Sequence, residues 1–128
     1  MNNLSKMYSD IELDTEVMGA SPHRLVQMLI DKCLQRIQLA KTAIENKDIK
    51  QRHYAISKAS ETVDYLRLCL NFEDEKAREL SQQLDNVYVI LQTCLLHATL
   101  ENNIAYLNTG IIVISNIKEA WDKIAPKT

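Results

Sequence analysis

The sequence predicts an all-α protein, an antiparallel up-down-up-down four-helix bundle preceded by a flexible or partly helical N-terminal arm. Three observations carry this. Among 128 residues there are only two Gly and two Pro, and both prolines, Pro22 and Pro126, stand near the ends, so nothing punctuates the interior as a strand-rich fold requires. Four segments of similar length repeat apolar residues at alternating steps of three and four, the period of one helix face. The connections between them are short, which makes sequential helices antiparallel neighbours. The expected division is an arm at 1–20 and a bundle at 21–126, with helices at about 22–46, 49–71, 77–101 and 104–125.

The arm is polar and acidic, interrupted by Leu4, Met7, Tyr8, Ile11, Leu13, Val17 and Met18, and Gly19 detaches it from the first helix. Ser21 and Pro22 read as N-cap and first helical position. The first helix has Val26, Ile30, Cys33, Ile37, Ala40 and Ile44 as its seam, widened by Leu25 and Leu29, and a polar back of Asp31, Gln35, Gln38 and Thr42. After a break at 46–48, with Asp48 as N-cap, the second helix is built on Ile49, Ile56, Ala59, Val63, Leu66 and Leu70. Its back is also apolar: Tyr65, Leu68 and Phe72 recur roughly opposite the seam, with Tyr54 on the same side and Cys69 beside it.

The third helix carries two stripes. Ala77, Leu80, Leu84, Val87, Leu91, Cys94 and Ala98 are the expected core face, and Val89, Leu96 and Leu100 lie roughly opposite. Asn103 is the expected N-cap of the fourth helix, whose seam is Ile104, Leu107, Ile111, Ile114, Ile117, Trp121 and Ile124, flanked by Tyr106, Val113 and Ala120. The β-branched run 111–114 beside Gly110 favours a strand locally, but the helical period through Trp121 outweighs it.

A net charge of −2, with Lys and Arg scattered, gives no footprint for nucleic acid. No apolar run approaches the ~20 residues of a membrane span, and the polar start lacks the pattern of a secretory signal, so a cytosolic protein without membrane insertion is expected. Three cysteines form no C-x-x-C pair, and Cys33 and Cys94 fall on core stripes, which reads as reduced thiols used as small hydrophobes. The residues three before His23, His53 and His97 are Ala20, Lys50 and Cys94, so the Glu-x-x-His pairs of a di-iron bundle are missing. Without a glycine loop to shape an oxyanion hole, no nucleophilic site is expected either. The chain reads as a non-enzyme without metal or cofactor. Leaving six large apolar groups on the second stripes in water would forgo about 1.5–3 kcal/mol for each. They call for a cover: an amphipathic helix from another chain, this chain's own arm, or a second copy in a homodimer.

The string MGASPHRLVQMLID, Met18 to Asp31, resembles the start of the first long helix in the FliS family of flagellar secretion chaperones, which typically reads T-A-S-P followed by L-x-x-M-L-Y-D-G. The similarity continues through AKTAIENKD (40–48), ISKASETVDYL (56–66) and KEAWDKI (118–124). Ile30 and Lys32 depart from the family's Tyr and Gly, the segment 74–81 lacks its Gly-Gly, and Val89 and Ile90 replace its usual Asp-Tyr. The resemblance implies a cytosolic bundle that holds the disordered C-terminal segment of flagellin, prevents premature polymerisation and delivers it to the flagellar type III export gate. The expected client-binding residues are Tyr65, Leu68, Cys69, Phe72, Val89, Leu96, Leu100, Tyr106 and Val113. Tyr8 matches a tyrosine of the family's arm associated with export-gate docking and groove capping. The alternative is a structural or regulatory homodimeric helical bundle without a flagellin client; as a chaperone, too, the chain can pair with a second copy when client-free.

Overall fold

The computed structural model describes residues 21–123; Tyr8 and the rest of the expected arm, together with Ile124 and Ala125, lie outside the described residues. Four helices succeed one another: α1 (Pro22–Glu45), α2 (Ile49–Leu68), α3 (Glu75–Glu101) and α4 (Ile104–Lys123). No strand occurs among the described residues, so the β-branched run after Gly110 is helical. α1 packs on α2 and α4, and α3 packs on the same two, closing a bundle around one core.

Each boundary has a local cause. Ser21 Oγ accepts from Arg24 N at 3.2 Å with Pro22 in the first helical position, which starts α1. At its other end the chain closes a Schellman motif: Lys47 N donates to the Ile44 carbonyl at 3.1 Å and Asp48 N to the Ala43 carbonyl at 2.9 Å. The motif places Lys47 at φ 58°, the left-handed region that glycine normally supplies. Asp48 then caps α2 through Gln51 N at 3.1 Å.

The expectation that the second helix runs to about Asn71 is corrected: α2 stops at Leu68. Asn71 Oδ1 instead accepts from Glu73 N at 3.0 Å and Asp74 N at 3.1 Å, a side-chain turn that competes with helix. Asp74 caps α3 through Lys76 N at 3.0 Å, which moves that start from the expected 77 to Glu75. Asn102 adopts φ 49°, a left-handed geometry asparagine tolerates, and Asn103 Oδ1 caps α4 through Ala105 N at 2.9 Å.

The core contains most of the expected α1 seam, Val26, Ile30, Cys33, Ile37 and Ala40, with Leu29 fully buried beside them. Several expected seam residues are not buried. Ile49 is exposed at the start of α2, where helix ends outrun the core. Leu80 is exposed, and Val87 and Cys94 are only partly buried. The buried line of α3 is Ser81, Tyr88, Leu91, Leu95 and Ala98, a face turned from the expected one by about 40° at ~100° per residue. Both lines share Leu91 and Ala98 and repeat at three and four, so periodicity alone does not separate them. Tyr88 is the largest fully buried side chain.

Two buried polar groups answer local needs. Arg36 Nη1 donates to the Lys58 carbonyl at 3.2 Å and to Thr62 Oγ1 at 2.7 Å, tying α1 to α2. Ser81 Oγ donates to the Asn71 carbonyl at 2.9 Å and accepts from Asn71 N at 3.2 Å, which pins the α2–α3 connection onto α3. At the opposite side, Trp121 Nε1 donates to the His23 carbonyl at 3.0 Å while the two rings stack with centroids 4.9 Å apart, fixing α4 against the start of α1.

Candidate functional site

The exposed apolar groups sort onto three flanks of the bundle. On α3, Leu96 and Leu100 are 56% and 69% exposed, and Val89 is exposed beside them. The rotation of the α3 core face brings this stripe from opposite the core to the side that adjoins α2. Leu96 lines a cleft of about 230 Å³ between the two helices, with His53, Ser57, Ser60 and Gln92 among its walls. Beneath it a polar ladder closes the seam. Arg67 Nε donates to Asp85 Oδ1 at 2.6 Å, and Arg67 Nη1 donates to Gln92 Oε1 at 3.2 Å. Gln92 Nε2 reaches Asp64 Oδ1 at 2.6 Å and the Ser60 carbonyl at 3.3 Å. The hydrogen bond to Asp85 raises the Arg67 pKa further, so its charge is fixed.

The apolar back of α2 does not face this stripe. Tyr54 lies in the groove between α1 and α2, with Lys32, Arg36, Leu39 and Lys58. Tyr65, three turns on, stands on the same flank of α2, where it is partly buried and packs on the core. Leu68 is the most exposed large apolar residue of α2 at 71% exposure, and Phe72 is exposed in the connection to α3. Cys69, the C-cap residue, is exposed, yet desolvation of its sulfur raises the thiol pKa. The expected groove with two apolar walls is therefore not formed: the α3 stripe faces serines, Asp64 and Arg67, and the α2 stripe turns toward α1.

Tyr106 and Val113 occupy a third flank, partly buried where α4 meets α3. Tyr106 stacks on His97 with centroids 5.1 Å apart, and His97 Nδ1 lies 2.9 Å from Glu101 Oε2. A hydrogen bond to Glu101 raises the Tyr106 pKa, because ionising the phenol would place two negative charges together. Of the nine expected client-binding residues, Leu68, Phe72, Val89, Leu96 and Leu100 offer substantial free apolar surface, and Tyr65, Tyr106 and Val113 contribute at the margins of the core.

Sequence reasoning missed exposed Leu39, Ile90 and Ile112, and the Arg67–Asp85–Gln92 ladder. The ladder has a signal: Asp85 and Gln92 sit seven residues apart on one α3 flank, opposite Asp64 and Arg67 on α2. Its chemistry is structural. Among the described residues no group of three or more His, Cys, Asp or Glu is placed to hold a metal ion. Burial pushes the Cys33 thiol up to about 12, which keeps it protonated and unreactive.

Comparison with known proteins agrees in kind. The family described as "Flagellar protein FliS" matches residues 4–128. A flagellar secretion chaperone FliS of Salmonella typhimurium is 33% identical over 95% of this chain and 90% of that protein. The FliS of Campylobacter jejuni is 33% identical over 96% of this chain and 92% of its own length. That of Vibrio cholerae is 30% identical over 99% and 92%. With the family matched along nearly the whole chain and its relatives covered almost end to end, the chain belongs to the FliS family of flagellar secretion chaperones.

Proposed function

We propose that this protein is a cytosolic, non-enzymatic export chaperone that binds the disordered C-terminal segment of flagellin, prevents its premature polymerisation and delivers it to the flagellar export gate. The observation that carries the reading is the exposed stripe Val89, Leu96 and Leu100 on α3, with Leu68 and Phe72 exposed at and beyond the end of α2, in a chain of the FliS family. A client helix laid along α3 would cover the apolar stripe and meet the hydroxyls and amides of the α2 flank on its polar side. Ordering a disordered client costs about 2–5 kcal/mol, and burial of each large apolar anchor contributes about 1.5–3 kcal/mol, so three or four anchors suffice.

Calorimetry with a flagellin C-terminal peptide tests the surface. Leu68 and Leu96 are exposed, so their replacement leaves the core intact. A Leu68→Glu, Leu96→Glu double variant is expected to lose binding at least a hundredfold, two desolvated anchors being worth about 3 kcal/mol or more. Wild-type affinity in that variant would remove the proposed surface.

A further inference from the structure

The seam between α2 and α3 ends at a second cavity, of about 310 Å³, where the turn between α1 and α2 meets Asn102 at the close of α3. This cavity adjoins the cleft that Leu96 lines: His53 and Thr99 belong to the cleft, Arg52 and Asn102 to the cavity. Its walls combine aliphatic and charged groups. Ile44 and Ile49 supply the first, and Ile49 is 63% exposed. Lys47 and Arg52 supply two cations, and neither forms an ion pair among the described residues. Asp48, the one carboxylate among the lining residues, is engaged as the N-cap of α2, where it accepts from Gln51 N at 3.1 Å. Two cations against one committed carboxylate leave the cavity net positive. Arginine carries five N–H donors. In Arg52, Nη1 donates to Asn102 Oδ1 and Nη2 stands 3.3 Å from His53 Nε2, while Nε is buried without a partner among the described residues. Such open donors are uncommon in a folded chain, and an added acceptor is what they lack.

We propose that this cavity binds the C-terminal carboxylate of the client, with the client's last side chain, an aliphatic one, laid against Ile44 and Ile49. The inference rests on the client reading given above and adds to it the direction in which the client lies. A carboxylate matches the planar donor fork of Arg52 and the point charge of Lys47, and charge-assisted hydrogen bonds of this kind are stronger than neutral ones. Capture of a terminal carboxylate is a recurrent mode of peptide recognition. A chain end suits this place better than an acidic side chain. The α1–α2 turn bounds the far end of the seam, so a segment that follows the apolar stripe stops there. From Val89 to Leu100 the stripe extends ~16 Å, about three helical turns, and Asn102 stands two residues further on. A client that covers the stripe therefore brings its final residue to the cavity. Its upstream residues then lie toward Leu68 and Phe72, at the other end of the seam.

The test titrates three synthetic peptides of the flagellin C-terminal segment into the full chain by calorimetry: the free acid, the C-terminal amide, and a free acid lengthened by Gly-Ser. The free acid is expected to bind at least about tenfold more tightly than the amide, the loss of one charge-assisted contact. The lengthened acid is expected to bind like the amide, because its carboxylate overshoots the cavity. In a Lys47→Gln, Arg52→Gln variant the free acid is expected to fall to the affinity of the amide, and the amide to bind as it does to the wild type. A thermal melt checks that the variant is folded, and the comparison of peptides on the wild-type chain decides the matter without it. Equal binding of acid and amide by the wild type would overturn the terminal site and leave the client reading standing. Lengthened and native acids binding alike would overturn recognition of the chain end, and a preference for the acid that survives in the folded variant would overturn the assignment to this cavity. Binding of none of the peptides would remove the client reading and this inference with it.

Discussion

Replacing Leu95 and Leu80 by alanine, one at a time, measures which face of α3 is core. Leu95 is 1% exposed and Leu80 45% exposed, although the plainest reading of the sequence places Leu80 in the seam and passes over Leu95. Removing a fully buried leucine forfeits its transfer energy and leaves a cavity, about 2.7–5 kcal/mol in all. Leu80 keeps nearly half its surface in water and can collapse toward solvent, so its truncation is expected to cost about 1 kcal/mol or less. Urea unfolding monitored by helical circular dichroism reads both. At a slope of about 1.5–2.5 kcal/mol per molar for a domain of this size, Leu95→Ala moves the midpoint down by roughly 1–3 M and Leu80→Ala by less than roughly 0.7 M. Equal losses would refute the rotated face, and with it the placement of Val89, Leu96 and Leu100 beside α2.

The same geometry sets three other outcomes. Lys47→Gly is expected to stabilise the fold by about 0.5–1 kcal/mol, because glycine takes φ 58° without the side-chain clash a lysine carries there; thermal unfolding reads the gain. Ser81→Ala strips the Asn71 N–H and carbonyl of their partner and is expected to cost about 1–3 kcal/mol, with faster amide exchange across residues 69–74. The Cys33 thiol, raised from 9.0 to about 12, keeps its proton in the folded state over a range where the unfolded chain has lost it. The unfolded state therefore binds fewer protons, and stability falls with rising pH between about 9 and 12 by about 1.4 kcal/mol per unit. Cys33→Ala removes that increment of slope, and identical pH profiles for wild type and variant would contradict it.

The helices were legible because their causes are local. Ser21–Pro22, Asp48 and Asn103 are caps whose side chains act within three residues, and each acts as its type predicts. Facing was harder to read. Leu84, Leu91 and Ala98 belong to two overlapping stripes, one completed by Leu80, Val87 and Cys94 and the other by Ser81, Tyr88 and Leu95. The first is the more uniformly apolar, which is why the sequence favours it. What decides between them is a tertiary bond, the Ser81 hydroxyl on the Asn71 backbone, and the room for a tyrosine ring at position 88. Gly110 has a related role, since a Cβ there would stand 3.3 Å from Leu91 Cδ1. Likewise Arg36 reads as one more charge on a helix until Thr62 and the Lys58 carbonyl are seen to receive it. On the apolar back of α2, Tyr54 and Leu68 are exposed while Tyr65 packs on the core, and its direction, toward α1 for Tyr54 and Tyr65, depends on how α2 is turned between its neighbours.

Flagellin binding is the central claim, and one titration addresses it directly. Monomeric flagellin is added to the full chain in a calorimeter, alongside flagellin lacking its C-terminal segment. The account predicts saturable binding of the intact protein with a negative heat-capacity change from apolar burial, and no binding of the truncated one. Equal binding of both, or of neither, would contradict it.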